Sequence, residues 1–258
     1  MVGVKQGGKA TFVKSVPTGL KAIKAEVQGL NLLRTFILQH QIPYLQIPTV
    51  FSSDEINIEL ERIDSHQPTF EQFRQFGQGL AKLHNVQAAR YGLGQDNFIG
   101  LAPQLNAWSS DWGEFFLSKR LQQQVEWITN HKIREEFRQT LKQVGKKLSS
   151  FLNEHCAHAS LLHGDLWQGN VMFDQEGVWL IDPAVYFGDS EADLAMTELF
   201  GGFPPDFYRS YQAIRPLSQA YEIKCSIYNL YHNLNHYNLF GDHYLSGCRQ
   251  GLTTITQL

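Results

Sequence analysis

The stretch LLHGDLWQGNVMFDQEGVWLIDPAVYFGDSEADLAM, residues 161–196, carries Asp165, Asn170 and Asp182 at intervals of five and twelve residues. Each stands among apolar neighbours, and a carboxylate is costly to bury unless something compensates its charge. Between Asn170 and Asp182, NVMF and VWLI read as two short strands around the turn DQEG. Such a hairpin returns Asp182, at the end of its second strand, to the side of Asn170, at the start of its first. Hard oxygen ligands held in this way suit Mg²⁺, which takes one or two protein carboxylates and completes its shell with substrate phosphates. Asp165, on the loop before the hairpin, stands where a carboxylate accepts the proton of an attacking hydroxyl. The chemistry such a set would serve is metal-assisted phosphoryl transfer.

An Asp and an Asn share the same five-residue interval in the catalytic loop of kinases. That arrangement demands two more residues, a strand Lys for the α/β phosphates and a helix Glu to hold it. Lys14, in TFVKSV, lies on a candidate strand, and Glu26, in KAEVQGL, lies on the helix that follows. Taken singly, each element has a plainer reading: His-Gly-Asp and Asp-Pro are common turns, and most strand lysines simply face solvent. His163 with Asp165 would also serve a metallohydrolase, but no further His or Asp cluster has ligand spacing. His155 and His158 read as a solvated helix end. His232 and His236 sit four apart on one helix face, which suits zinc but leaves a third ligand wanting. With Tyr228, Tyr231, Tyr237 and Tyr244 they read as a helix interface.

Periodicity gives the elements that must position these residues. Residues 1–16 read as two short strands around the turn QGGK at 6–9. Leu20, Ile23, Val27, Leu30 and Ile37 recur at helical spacing. EINIELERI alternates at Ile56, Ile58 and Leu60, as a strand does. Phe73, Phe76, Leu80 and Leu83 mark a helix, and Ile133, Phe137, Leu141, Val144, Leu148 and Phe151 a longer one. The chain after the hairpin is again helical and rich in aromatics. The expected class is α+β, with a small strand-rich lobe over residues 1–65 and a large helical lobe over 66–258.

Composition narrows the function classes. A 258-residue chain that is 43% hydrophobic and 12% aromatic can bury a substantial core. A net charge of −3 with scattered Lys and Arg argues against a nucleic-acid binder, which needs a basic stripe. No apolar run approaches the roughly 18 residues that span a bilayer, so no membrane partner is expected. The N-terminus lacks the apolar centre of a signal peptide. Cys156, Cys225 and Cys248 have no CxxC spacing, which makes a reducing, cytoplasmic home the default.

The segments HGDLWQGN, IDPAVYFGDSEADLAMTELFGGF, GLGQDNFIGLAPQLNAWSSDWGEFF and NLYHNLNHYNLFGDHY together resemble the fructosamine kinase, or ketosamine-3-kinase, family. The likeness covers almost the whole chain. It implies a bilobal protein-kinase-like fold, related to aminoglycoside and choline phosphotransferases. It also implies ATP-dependent phosphorylation of the sugar C3 hydroxyl in ketoamines, the fructosamines and ribulosamines formed by glycation; the product breaks down, so the reaction is one of deglycation. Carried over by position, Asp165 is the expected catalytic base, Asn170 and Asp182 hold Mg²⁺, and Lys14 with Glu26 anchors ATP. Glu61 and Ile63 match the hinge that meets adenine through its backbone. His163 and Asp193 match positions that brace the catalytic loop, and Asp193 also suits the start of its helix. Trp108, Trp112, Phe115 and Phe116 read mainly as core. Trp167, inside the catalytic loop, has the better claim to face a sugar or alkyl stem.

The sequence departs from the family in one place. A Gly-rich strand–turn–strand is expected before the lysine strand, yet Lys14 is only fourteen residues from the start, and QGGK joins later strands. The first strand and phosphate-covering loop are therefore expected to be missing. Two alternatives stand beside the ketoamine reading: a kinase of another hydroxylated amine, such as an aminoglycoside or choline, and a non-catalytic nucleotide-binding homologue.

Overall fold

The computed structural model describes residues 10–15 and 19–258. The readings for residues 1–9, the QGGK turn included, and for residues 16–18 lie outside them.

Strand β1 (Thr11–Ser15) runs antiparallel to β4 (Asn57–Glu61), with Lys14 opposite Ile58, and β3 (Val50–Ser53) covers the other edge of β4. Ile58 and Leu60 are buried as the alternation requires. Ile56 is not part of that face and is 61% exposed. The Asp54 carboxylate accepts the N–H groups of Ile56 and Asn57, both at 2.8 Å, which makes a turn where the pattern alone reads strand.

Helix α1 (Leu20–Gln39) lies under this sheet and buries Ile23, Leu30, Leu33 and Ile37, leaving Glu26 on its cleft side. Strand β2 (Leu45–Gln46) then crosses to pair in parallel with β9 (Gly177–Leu180), which is antiparallel to β8 (Val171–Asp174). The β8–β9 turn is the expected DQEG, closed by the Asp174 carboxylate on the N–H groups of Glu176 and Gly177.

Helix α2 (Phe70–Asn85) opens with a Thr69/Gln72 capping box and buries Phe76, Leu80, Leu83 and His84. The hairpin β5 (Asn97–Ile99) and β6 (Ala102–Gln104) follows. Helices α3 (Trp112–Phe116) and α4 (Gln123–Glu126) are joined by a π-helical segment over Leu117–Gln122, and α5 (His131–Glu154) packs back on them. The contact is close at Gly113: a Cβ there would stand 2.1 Å from the Ser149 carbonyl oxygen, so only glycine fits. Strands β7 (Ser160–Leu162) and β10 (Tyr186–Gly188) pair antiparallel on either side of the chemistry-bearing stretch. Helices α6 (Glu191–Leu199), α7 (Pro205–Gln212), α8 (Tyr221–Phe240) and α9 (Leu245–Thr256) complete the chain. The class is α+β, with a mostly helical C-terminal part, as the sequence predicts.

Two apolar clusters hold these elements. One joins α3, α5, α8 and α9 around Trp112, Phe116, Phe137 and Tyr228. The other runs from Ala22 on α1 through Leu80 on α2 and Val178 on β9 to Tyr211 at the end of α7. The N-terminal sheet and α1 thus share their core with the segments that flank the catalytic stretch. Among the described residues no helix is long and apolar enough to cross a membrane.

Candidate active site

The loop between β7 and β8 is shaped by Gly164 and Asp193. Gly164 has φ +82°, and a Cβ on it would lie 2.1 Å from the Ala184 carbonyl oxygen, so no other residue makes this turn. The Asp193 carboxylate, at the start of α6, accepts the backbone N–H of His163 at 2.8 Å and of Gly164 at 2.9 Å. His84 Nε2 donates to it at 3.3 Å, while His84 Nδ1 takes the Tyr211 hydroxyl at 2.9 Å. Burial pushes the Asp193 carboxyl up, but these donors outweigh it and hold the group below its ordinary range. Burial keeps both His84 and His163 below the usual imidazole range, hence neutral. His163 Nε2–H donates to the Ile181 carbonyl at 2.9 Å, which leaves Nδ1 to accept the Asp165 N–H at 3.3 Å. His84 was not marked by the sequence, although a histidine on the buried stripe of an amphipathic helix is the signal it offers.

Asp165 projects from this braced loop. Burial raises its pKa to about 7; the Asn170 amide offsets part of this and the charges of Asp182 and Asp193 add to it. Asn170 Nδ2 donates to the Asp165 carbonyl at 2.8 Å and to its carboxylate at 3.2 Å, and the Asn170 carbonyl receives the Ile181 N–H at 3.1 Å. The interval of twelve is thereby closed by a backbone bond, and Asp182 follows with φ +53°, a left-handed conformation that Asp tolerates better than most residues.

Lys14 Nζ bridges Glu26 at 2.9 Å and Asp182 at 2.7 Å. Burial lowers the Lys14 pKa, yet the carboxylates of Asp182 and Glu26 outweigh it and the net direction is up. The Glu26 carboxyl is raised, first by burial and then by the Asp182 charge, with Lys14 opposing. Lys14, Glu26, Asp165, Trp167, Asn170 and Asp182 all border one cavity of about 220 Å³. Ala22 and Ala25 of α1, Pro183 and the β5–β6 hairpin at Asn97, Phe98 and Gly100 complete its wall, and the sequence reading did not mark that hairpin as part of the site.

The donor set fits Mg²⁺ better than a transition metal. Among the described residues no three His, Cys, Asp or Glu side chains gather in a metal-binding group. Asp182 and Asn170 border the cavity beside Asp165, and Asn170 spends its nitrogen rather than its oxygen on Asp165. A hard cation that keeps water and phosphate ligands needs no more from the protein.

The Asp165 environment also has a measurable cost. A carboxyl raised from 3.8 to about 7 favours the neutral form in the fold, so its contribution is fully present below pH 4 and is lost as pH rises to 7. At about 1.4 kcal/mol per pH unit the span is worth on the order of 4 kcal/mol. Asp165→Asn is therefore expected to raise the Tm of the ligand-free chain by several degrees at pH 8 and hardly at all at pH 4. A thermal melt series across pH checks this; a constant difference would sink it.

The sequence model described as fructosamine kinase matches residues 1–257. The chain belongs to the fructosamine kinase family. A probable ketoamine kinase of Vibrio parahaemolyticus is 43% identical over 188 residues, 71% of this chain and 62% of that protein. The chain thus spans about three fifths of the length of that relative. The chloroplastic protein-ribulosamine 3-kinase of Arabidopsis thaliana is 38% identical over 179 residues, 67% of this chain and 53% of that one. The crystal structure of a candidate fructosamine-3-kinase from Thermobifida fusca superposes with a TM-score of 0.81 at 28% identity, covering 97% of this chain and 87% of that one. An ADP-bound aminoglycoside phosphotransferase reaches 0.57 at 15% identity, covering 98% and 91%, a likeness of fold alone.

Two residues that the fructosamine kinase likeness marks lie apart from the cavity. The Glu61 carboxylate accepts the Thr49 hydroxyl at 2.6 Å and its N–H at 3.2 Å, and Thr49 in turn takes Arg34 of α1 at 3.1 Å. This side chain is committed to joining the sheet to α1, beside a separate hollow of about 540 Å³. Ile63, half-buried, follows two residues later. Trp167 is 39% exposed and meets Phe200 edge-on at 6.0 Å. Trp112, Phe115 and Phe116 are buried core, as expected, whereas Trp108 is 40% exposed under Arg90. His155 and His158 are not simply solvated: the His155 carbonyl accepts Lys224 at 2.8 Å, and His158 Nε2 bonds the His84 carbonyl at 3.0 Å. His232 is buried and pushed down to about 3, its Nδ1 unpartnered; burial lowers His236 as well.

Proposed function

We propose that this chain is an ATP-dependent phosphotransferase that acts on ketoamines, placing a phosphoryl group on the C3 hydroxyl of a fructosamine or ribulosamine and so promoting deglycation. The observation that carries the reading is the Lys14–Glu26–Asp182 ion triad on the same cavity as the Asp165–Asn170 pair. The names of the Vibrio and Arabidopsis relatives supply the ketoamine class. The nucleotide cleft lies between the proposed lobes, 1–65 and 66–258, with cytoplasmic thiols at Cys156, Cys225 and Cys248, all free.

Asp165 accepts the hydroxyl proton as the new O–P bond forms and the bond to the ADP oxygen breaks. Asn170 and Asp182 hold Mg²⁺, which, when bound, neutralises charge on the phosphate oxygens. Lys14, steadied by Glu26, holds the α/β phosphates. The backbone at Glu61 and Ile63 meets adenine, Trp167 faces the acceptor, and His163 with Asp193 keeps the loop in place. Positioning and charge neutralisation do most of the work in such a transfer.

The reading is tested by incubating the chain with Mg²⁺–ATP and a fructosamine or ribulosamine of lysine, following ADP release. Acceptor-dependent release is expected; none with any ketoamine, alongside release with an aminoglycoside or choline, would overturn it. Asp182→Asn is expected to weaken Mg²⁺-dependent nucleotide binding by at least about 10- to 100-fold, the loss typical of disturbing even an outer-shell ligand partner. Calorimetric titration of Mg²⁺–ATP reads this directly, and unchanged affinity would remove Asp182 from the metal site.

A further inference from the structure

Arg120 lies in the π-helical segment between α3 and α4 and is fully buried. Among the described residues it has no carboxylate at ion-pair distance, although an isolated buried charge is expensive. Its guanidinium lies 4.1 Å from the Tyr186 ring centre, 4.7 Å from Phe115 and 5.6 Å from Tyr231, a cation–π cage that offsets part of the cost. Its Nε finds no partner at all. Packing alone does not call for such a residue, since an apolar side chain would fill the same space without a desolvation penalty.

What the charge does is fix the direction of a chain of amides. Arg120 can only donate. It gives Nη1–H to the Leu105 carbonyl at 2.6 Å and Nη2–H to Asn106 Oδ1 at 2.8 Å. The Asn106 amide is thereby turned so that Nδ2 faces Asn97 Oδ1 at 2.9 Å. Gln104 Nε2 reaches the same oxygen at 2.9 Å and the Ala184 carbonyl at 3.0 Å. With its oxygen doubly occupied, Asn97 must point Nδ2 at the Val185 carbonyl, 2.8 Å away. Ala184 and Val185 are two and three residues past Asp182, and Asn97 borders the Asp165 cavity.

We infer that Arg120 is a positioning residue for the acceptor side of the site: through Asn106 and Asn97 it locks the β5–β6 hairpin against the segment that follows Asp182. The π-helical turn, a feature frequent at functional sites, places it there. The catalytic consequence rests on the ketoamine kinase reading; the locking does not.

Arg120→Lys keeps the cation but loses the fork that spans Leu105 and Asn106. In the ligand-free chain, hydrogen exchange of residues 95–106 is expected to speed up about tenfold or more, with the β1–β4–β3 sheet and α5 unchanged. In steady state the acceptor KM is expected to rise about tenfold with the ATP KM within about twofold. Combining Arg120→Lys with Asn97→Ala is expected to be little worse than the more impaired single variant. Should Arg120→Lys fail to fold, Asn106→Ala carries the same expectations. Exchange that accelerates everywhere, unaltered hairpin exchange, or KM values that rise together would overturn the inference. If the parent chain turns over no ketoamine, the functional reading falls and the exchange pattern alone decides the locking.

Discussion

Replacing Asp165 by asparagine is expected to lower ketoamine turnover by about 10²- to 10⁴-fold, the usual contribution of a positioned base, while Mg²⁺–ATP affinity stays within about twofold. Asparagine keeps the size of the side chain and its contact with Asn170, so the loop retains its shape. What it loses is the capacity to accept a proton. Nucleotide binding is assigned to Lys14, Asn170 and Asp182, and Lys14 pairs with Glu26 and Asp182 rather than with Asp165. The pH profile supplies a second reading of the same change. A base must be ionised to act, and this carboxyl sits at about 7 in the ligand-free chain, so kcat/KM is expected to rise with pH through that region. The residual activity of the variant is expected to lack that limb. Loss of nucleotide affinity instead of turnover would make Asp165 a metal ligand, and full turnover would end its role as base.

Lys224→Met is expected to destabilise the C-terminal part strongly. Lys224 is 1% exposed and meets Asp189 at 2.5 Å and Glu191 at 2.8 Å, both buried at the start of α6. Tyr228 donates its hydroxyl to Asp189 at 2.7 Å, and Ser218 gives Glu191 an N–H at 2.6 Å and a hydroxyl at 2.9 Å. Burial works against the lysine charge, but the two carboxylates raise its pKa on balance. Methionine would leave two anions in the interior without their cation, a fault that typically costs about 3–5 kcal/mol. For a chain of this size that is roughly 10 °C in Tm. Adding Asp189→Asn and Glu191→Gln to the variant is expected to recover much of the loss, because no unpaired charge then remains. A single variant that melts like the parent would show that the cluster contributes nothing, and a triple variant no better than the single would assign the loss to packing.

The placement of the candidate site residues was legible in the sequence wherever local geometry governs it. The intervals from Asp165 to Asn170 and from Asn170 to Asp182 are those of a loop and a hairpin, and a hairpin's length and turn residues are written in adjacent positions. The same holds for Lys14 on a strand before a helix that carries Glu26, and for the stripes of α2 and α5. Ile56 was misread because one Asp54 turn outweighs an alternating pattern of three residues.

Only the tertiary structure brought Lys14 within 2.7 Å of Asp182, 168 positions away, or set His84 beneath Asp193. It alone showed that Glu61 spends its carboxylate on Thr49, that Arg120 is caged by rings, and that Lys224 is buried between two acids. The division has one physical cause. Secondary structure and short turns depend on neighbours along the chain, and periodicity records those neighbours. The partner of a buried polar group depends on which distant segments share a core, and a residue type in the sequence does not say which of its possible partners will be packed against it.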